Sequence, residues 1–482
     1  MEHKEKTILS RRTFIFILLG SAIGFGNMGL FPTTLYQNGG LAYIVAYIIA
    51  MLVVGIPIIY LEASAGFFYK GGPIKAFKSI HERYEIIGWI IGIVGVIFAC
   101  YYTVIVAQSL IYTVNSFFLG WGSNPLAYST NLLGLSGAFK IIIPLVIALI
   151  VTWVIIWLIN SRPIKKGIAR AFEIIVPAFF ILLAIFTIIA LTCKGSFLGI
   201  SALLSPDWGL LLGANIWVSV FSQAFFTLGL SYGAVMLMGS YLDKGDHILG
   251  DVSLVVLGNS VFEIVSAIGV FSILGIFLAQ GANIAQLTQY QTYTTMVSLP
   301  LIFNSLGLMG RVLAPIFYVA IFLTGLTSSV LMIEVLSQGI INKFNWSRRK
   351  SVSLIVIISL VLGFIFVTNT TYPLIWVVDY LITYFWLIGL GIVECALLAW
   401  AFNFSKINDL VLTNKAHNRL LKVMVKYVTP VILLIILIQT IYIASLSCPT
   451  DYGIIMVTIT LIILIPSMFL STRSWKKGKL DS

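Results

Sequence analysis

Residues 19–29 read Leu19-Gly20-Ser21-Ala22-Ile23-Gly24-Phe25-Gly26-Asn27-Met28-Gly29, with four glycines inside one apolar stretch. Residues 225–233 return to the theme as Phe225-Phe226-Thr227-Leu228-Gly229-Leu230-Ser231-Tyr232-Gly233. Either stretch alone is explained by close packing, because small residues let membrane helices approach one another. Together they say more. They lie five apolar segments apart, at equivalent positions of two five-segment halves, which is how inverted repeats build a site from discontinuous helices. Unwinding a helix at mid-depth frees carbonyl and N–H groups that lipid cannot satisfy, so something polar must take their place. Half-helix N-termini suit a carboxylate, and freed carbonyls suit a cation. Asn27, Thr227, Asn259, Thr327 and Ser328, each in otherwise apolar sequence, are the oxygen-bearing side chains that could complete such a cation site.

The composition around these stretches is that of a membrane protein. Of the 482 residues 60% are hydrophobic and 10% charged, whereas soluble chains carry about 25% charged residues. That excludes a soluble protein, and 13% aromatics exclude a disordered one. The net charge of +12 is no sign of nucleic-acid binding, because in a membrane protein it matters on which side Lys and Arg fall. Cys100, Cys193, Cys395 and Cys448 form no CxxC pair, so neither a zinc site nor a disulfide framework is signalled; Cys193 and Cys448 both fall near the outer surface, but a bridge between them is not expected. His3, His81, His247 and His417 all lie in polar stretches between apolar runs, which argues against an intramembrane proton relay or metal site. Met1 to Arg12 is polar and the run behind it is too long for an h-region, so no cleavable signal peptide is expected. No Ser/His/Asp, Cys/His or metal-ligand cluster falls within the apolar segments, so an enzyme is not expected.

A bilayer core takes about 20 apolar residues as helix. Twelve such segments are expected near 13–36, 41–69, 87–118, 140–159, 167–193, 214–241, 249–279, 311–342, 351–368, 373–403, 423–446 and 452–471. Every second connection carries Lys or Arg, most densely Lys4 to Arg12, Lys70 to Arg83, Arg162 to Arg170, Lys343 to Lys350 and Lys406 to Lys426. On the opposite face only Lys140, Lys194 and Arg311 of the 29 basic residues are expected. Cytoplasmic loops carry the Lys/Arg excess, so both termini are expected inside. The longest outer connections, Leu119 to Ala138 and Ala279 to Gly310, are Gly, Ser, Thr and Asn rich.

Several motifs then fall in order along the chain. They are Ser21-Ala22-Ile23-Gly24-Phe25-Gly26-Asn27 with Phe31-Pro32 and Asn38-Gly39-Gly40; Gly55-Ile56-Pro57 with Glu62; Tyr101-Tyr102; Gln223 with Phe225-Phe226-Thr227; and Gly325-Leu326-Thr327-Ser328-Ser329. In these the chain resembles, over nearly its whole length, the neurotransmitter:sodium symporters, and especially their prokaryotic amino-acid transporters typified by the bacterial leucine transporter. The resemblance implies an all-α membrane protein of twelve transmembrane helices with a leucine-transporter-like 5+5 inverted repeat. The halves would be residues 13–193 and 214–403, followed by two further helices at 423–471, with helices one and six discontinuous.

It also implies two sodium ions. The first would be held by the Ala22 carbonyl and the side chains of Asn27, Thr227 and Asn259, completed by the substrate's carboxylate. The second would take carbonyls of Gly20, Ile23 and Thr324 with the hydroxyls of Thr327 and Ser328. The substrate carboxylate would also meet the N–H groups around Phe25 and Gly26 and the Tyr102 hydroxyl. Its ammonium would meet carbonyls of Ala22, Phe226 and Thr227, and Ser328. Phe98, Tyr102, Phe226, Gly229, Tyr232, Ser329 and Met332 would form the side-chain pocket, too apolar for a charged group. Amine-transporting members carry Asp where this chain has Gly24, which favours an amino acid. Glu263 matches the acid of chloride-independent members, and its burial makes a counter-transported proton an expectation. Glu62 and Glu394 match family acids expected to serve orphaned backbone at the break in segment six, whereas Glu334 has no match.

The gates depart from the family. Asp379 is present at the outer gate, but Leu30 replaces its Arg partner; the inner latch positions read Glu5 and Asn342, and the neighbouring Trp is Ile8. Tyr241 matches the inner-gate tyrosine. Closure is then expected from aromatic lids such as Tyr102 and Phe226, from hydrogen bonds between Gln223 and Asp379, or from residues the sequence does not identify. The expected function is sodium-coupled uptake of a neutral hydrophobic L-amino acid, aliphatic or aromatic, at the cell membrane by a monomer or homodimer. The alternatives are a proton-coupled permease of the same fold and a non-transporting amino-acid sensor.

Overall fold

The computed structural model describes residues 9–133, 140–244, 247–289, 291–370, 373–401, 415–447 and 450–476. Expectations for His3, Glu5, Ile8, Cys448 and the boundary at residue 403 fall outside these residues. The described chain is helical apart from one antiparallel bridge between Ile141 and Thr368. Among the described residues ten helices are unbroken and apolar enough to cross a bilayer, from Leu41–Tyr69 to Gly453–Thr472. The first and sixth spans are each interrupted, and counted with them the described residues agree with twelve transmembrane helices.

In the first span, α1 (Arg11–Ala22) starts at Ser10, whose hydroxyl accepts the Thr13 N–H at 3.1 Å as an N-cap. It ends because Ile23 and Gly24 are extended, and α2 (Phe25–Gly29) begins beyond them. Between the spans lie a short helix α3 (Pro73–Ile80) and the long α4 (Glu85–Ser116). The sixth span comprises α5 (Ala214–Leu228) and α6 (Ala234–Gly239), parted by Gly229, Ser231 and Gly233 at φ +60°, +61° and +74°. A side chain in the left-handed region costs roughly 1–2 kcal/mol, and buried Ser231 is held there from outside. Its N–H donates to Glu62 Oε1 at 2.7 Å and its hydroxyl to Glu394 Oε2 at 3.2 Å. Glu62 thus serves the orphaned backbone as expected, whereas Glu394 meets a side chain instead.

Further along are α7 (Ile248–Leu278), α8 (Leu308–Phe344) and α9 (Thr450–Thr472). The spanning window of the helix containing α4 is 83% buried, that of the last helix 17%. The axis of the molecule is therefore α4 running along α8, while α9 lies at the periphery. Ion pairs gather at the basic end: Arg11 to Asp251 at 2.5 Å, Lys343 to Glu85, and Arg348 to Glu334. Glu334, unexplained by sequence, receives a two-pronged contact from Arg348 at 2.8 and 2.7 Å and Asn160 Nδ2 at 3.1 Å. Cys100, Cys193 and Cys395 are free thiols.

Candidate functional site

The break in the first span meets α5 and α7 through the Asn27 amide. Asn27 Oδ1 accepts the Gly24 N–H at 2.8 Å, fixing its amide so that Nδ2 donates to Thr227 Oγ1 at 2.9 Å and Asn259 Oδ1 at 2.8 Å. Thr227 donates in turn to Glu263 Oε1 at 2.8 Å. All four side chains are buried. Uncharged oxygens from three elements, backed by one carboxylate, make a donor set of the kind hard cations take. Among the described residues no group of three or more His, Cys, Asp or Glu is placed to hold a metal.

The residues expected at the second ion converge nearby. Ser328 Oγ lies 3.2 Å from the Ser21 carbonyl, 3.4 Å from that of Ile23 and 3.3 Å from that of Thr324, and Thr327 Oγ1 lies 2.9 Å from Thr324 O. Gly20 has a packing role here, since a Cβ would come within 2.6 Å of the Phe172 ring.

Beside both groups is a cavity of about 30 Å³ bordered by Ala22, Gly26, Asn27, Phe98, Tyr102, Phe226, Thr227, Gly229, Tyr232, Ser328 and Met332. Phe98 on its wall joins the other rings, 5.0 Å from Tyr232, 5.3 Å from Tyr102 and 6.2 Å from Phe226 between ring centroids. The Phe25 N–H donates to Tyr102 Oη at 2.9 Å, so the two groups expected to take a carboxylate stand side by side. Of the residues expected in the side-chain pocket, Ser329 does not border it and bonds back to the Gly325 carbonyl at 3.0 Å, while the Phe25 ring lies against Gly29 and only its N–H faces Tyr102. Ser21 and Ala234 border the cavity and were missed. Their signal was adjacency, since each immediately flanks a break residue or pocket residue in the sequence.

Toward the less basic end a second cavity of about 360 Å³ is lined by Leu30, Gln223, Phe226, Asp379 and Tyr384 among others. Phe226 borders both cavities. The expected Gln223–Asp379 hydrogen bond is not formed. Gln223 Nε2 donates to Glu263 Oε1 at 2.7 Å, while Asp379 accepts from Tyr101 at 2.8 Å and Thr383 at 3.3 Å. The buried Glu263 carboxylate, which also accepts from Tyr47, draws the amide away from the outer gate. At the inner gate, the Tyr241 carbonyl accepts the Leu9 N–H at 3.0 Å. Asn342 Oδ1 accepts from Gln338 Nε2 at 3.4 Å, and Arg11–Asp251 ties α1 to α7.

Residues 5–132 and 126–472 match the sodium:neurotransmitter symporter family. A sodium-dependent transporter of Methanocaldococcus jannaschii is 31% identical over 447 residues, covering 91% of this chain and 90% of that protein. Sodium-dependent nutrient amino acid transporter 1 of Drosophila grimshawi is 25% identical over 483 residues, covering 89% and 75%. The crystal structure of MhsT in complex with L-phenylalanine has the same fold, with a TM-score of 0.78 at 24% identity over 90% of this chain and 100% of that one. The first two relatives are named as sodium-dependent transporters, and with the family matched across both interrupted spans, the chain belongs to the sodium:neurotransmitter symporter family, whose members are transporters and not enzymes.

Proposed function

We propose that the chain imports a neutral hydrophobic L-amino acid with two sodium ions, without chloride, by alternating access across the cell membrane. The observation that carries this is the meeting of an aromatic pocket with an uncharged oxygen cluster at the helix break. The substrate carboxylate fits between the Phe25 N–H, the Tyr102 hydroxyl and a sodium ion at Asn27, Thr227 and Asn259. Its ammonium fits the carbonyls that α1 and α5 leave free and the Ser328 hydroxyl. Because the guest supplies one ligand of the first ion, each raises the other's affinity by the same factor. The second ion belongs with Ile23, Thr324, Thr327 and Ser328, and with Gly20 by likeness to the family.

Phe98, Tyr102, Phe226, Tyr232 and Met332 surround the side chain with rings and a thioether, and an unpaired charge among them is strongly disfavoured. Relatives named for nutrient amino acids, and MhsT bound to L-phenylalanine, agree with that class. Glu263 supplies the fixed negative charge that stands in for chloride, and exchange of its proton would serve the return step. The basic end is cytoplasmic by its charge, so the larger cavity faces outward with Phe226 as lid. Residues 13–193 and 214–403 serve as the two repeats.

Uptake of labelled neutral amino acids into proteoliposomes tests this under sodium, potassium or proton gradients. Sodium-driven accumulation is expected. Accumulation on a proton gradient alone would make the chain a proton-coupled permease, and binding without accumulation would make it a sensor.

A further inference from the structure

Past Thr472 the chain turns back under the basic end of the bundle. The Lys476 N–H donates to the Lys343 carbonyl at 3.0 Å, and the Trp475 indole donates to Glu85 Oε2 at 2.9 Å. The other Glu85 oxygen accepts from Trp89 Nε1 at 2.8 Å and from the Lys343 ammonium. Lys343 is fully buried. Its ammonium also donates to the Leu470 and Ser471 carbonyls at 2.6 and 3.2 Å, in the last turn of α9, where a cation suits a helix C-terminus. Lys78 of α3 lies over the Trp475 ring at 4.2 Å from its centroid, a cation–π contact. One side chain thus joins α3 to α4 and, through Glu85, to α8.

The place of α3 gives that junction a mechanical meaning. Ile74 is pressed so closely on α4 and α8 that a Cβ on Gly88 or Gly339 would come within 2.4 or 2.0 Å of it. On its other side Pro73 abuts Gly233, and Gly72 abuts Leu237 of α6. The short helix is a wedge between the axial pair and the inner half of the sixth span. Trp475 borders the cleft of about 10 Å³ between Pro73, Leu237 and Asn342. If α6 is to swing away and open the site inward, this cleft must widen, and the indole sits across it. Asn342 stands where the family's inner latch has its acid. The family match stops at residue 472, so the indole lies outside the matched residues.

We propose that Trp475 is a positioning residue of the transport cycle, a latch that holds the wedge and α6 closed at the cytoplasmic face. The inference rests on alternating access and is independent of which substrate is carried. Its test is the full chain in proteoliposomes carrying Leu237→Cys as a reporter, with an impermeant maleimide supplied to the basic side and the parent chain giving the background of native thiols. Sodium should slow labelling with Trp475 present, which tests alternating access itself. Trp475→Ala should then speed labelling and raise the sodium concentration for half-maximal uptake, each roughly threefold to tenfold, as loss of a hydrogen bond and its ring contact shifts the population inward. Trp475→Phe keeps the ring, loses the N–H and should move both in the same direction by less. Unchanged labelling in Trp475→Ala overturns the latch, as does lowered thermal stability with an unmoved sodium dependence, which marks a merely structural residue. Labelling indifferent to sodium in the reporter chain overturns alternating access, and the latch with it.

Discussion

Gly24 acts through the atom it lacks. A Cβ there would stand 2.7 Å from Tyr102 Oη and 3.1 Å from Ser328 Oγ, the groups proposed for the substrate's carboxylate and ammonium. Its φ of −123° is open to any residue, so Gly24→Ala should fold normally. Uptake should fall roughly tenfold or more, the scale of an overpacking cost of about 1–3 kcal/mol, and initial rates per amount of purified protein check it. Thr327→Ala removes a hydroxyl from the second oxygen group. It should raise the sodium concentration for half-maximal uptake by roughly fivefold to tenfold, and a titration that does not move would remove Thr327 from the ligand set. Glu263 is ringed by donors from Tyr47, Gln223 and Thr227. Glu263→Ser leaves those donors facing a space that has lost its negative charge, so uptake should come to depend on added chloride. Comparing chloride with gluconate media reads that directly, and equal rates would count against the carboxylate as the anion's replacement.

Among the elements, the break in the sixth span is the most constrained. Ser231 is kept at a left-handed φ of +61° by two carboxyl groups from distant helices. Ser231→Val, β-branched in that conformation and without its hydroxyl, should cost about 1–3 kcal/mol. Ser231→Gly keeps the N–H that Glu62 receives, loses the hydroxyl and relieves the strain, so it should stay within about 1 kcal/mol of the parent. Thermal unfolding in detergent separates the two. That both spans break was legible because glycines interrupt apolar runs. That Ser231 would carry the strain was not, because the cause is Glu62, 169 positions away. Gln223 shows the same limit. Paired with Asp379 by likeness to an outer gate, it had two acids to choose between, and packing of α5 against α7 put Glu263 nearer. Glu334 had no sequence account because Arg348 reaches it from beyond a turn at Asn345, itself left-handed at φ +53°. The meeting of Asn27, Thr227 and Asn259 was more legible than the gates, since polar side chains in apolar spans stand out by type, whereas a gate needs the partner across the bundle.

For the whole molecule, charge and cavity volume point the same way along one axis. The end rich in Lys and Arg has a cleft of about 10 Å³, and the opposite end has a cavity of about 360 Å³ reaching down to Phe226. If the basic end is cytoplasmic, this conformation is approached from outside, and the ring of Phe226 is what separates the vestibule from the pocket. Ser219 lines that vestibule, so Ser219→Cys should react with an impermeant maleimide added to the outer side and stay protected from reagent on the Lys70 side. Sodium, which completes the oxygen cluster while the vestibule is open, should hold that state and quicken the reaction relative to potassium. Addition of substrate with sodium should slow it again as Phe226 closes over the guest, because a ligand shifts an equilibrium only by the difference in its affinity for the two states. Reaction from the Lys70 side alone would reverse the orientation that the basic loops indicate. A rate blind to substrate would mean that Phe226 is not the lid, and that some other group closes an outer gate from which the Arg–Asp pair is missing.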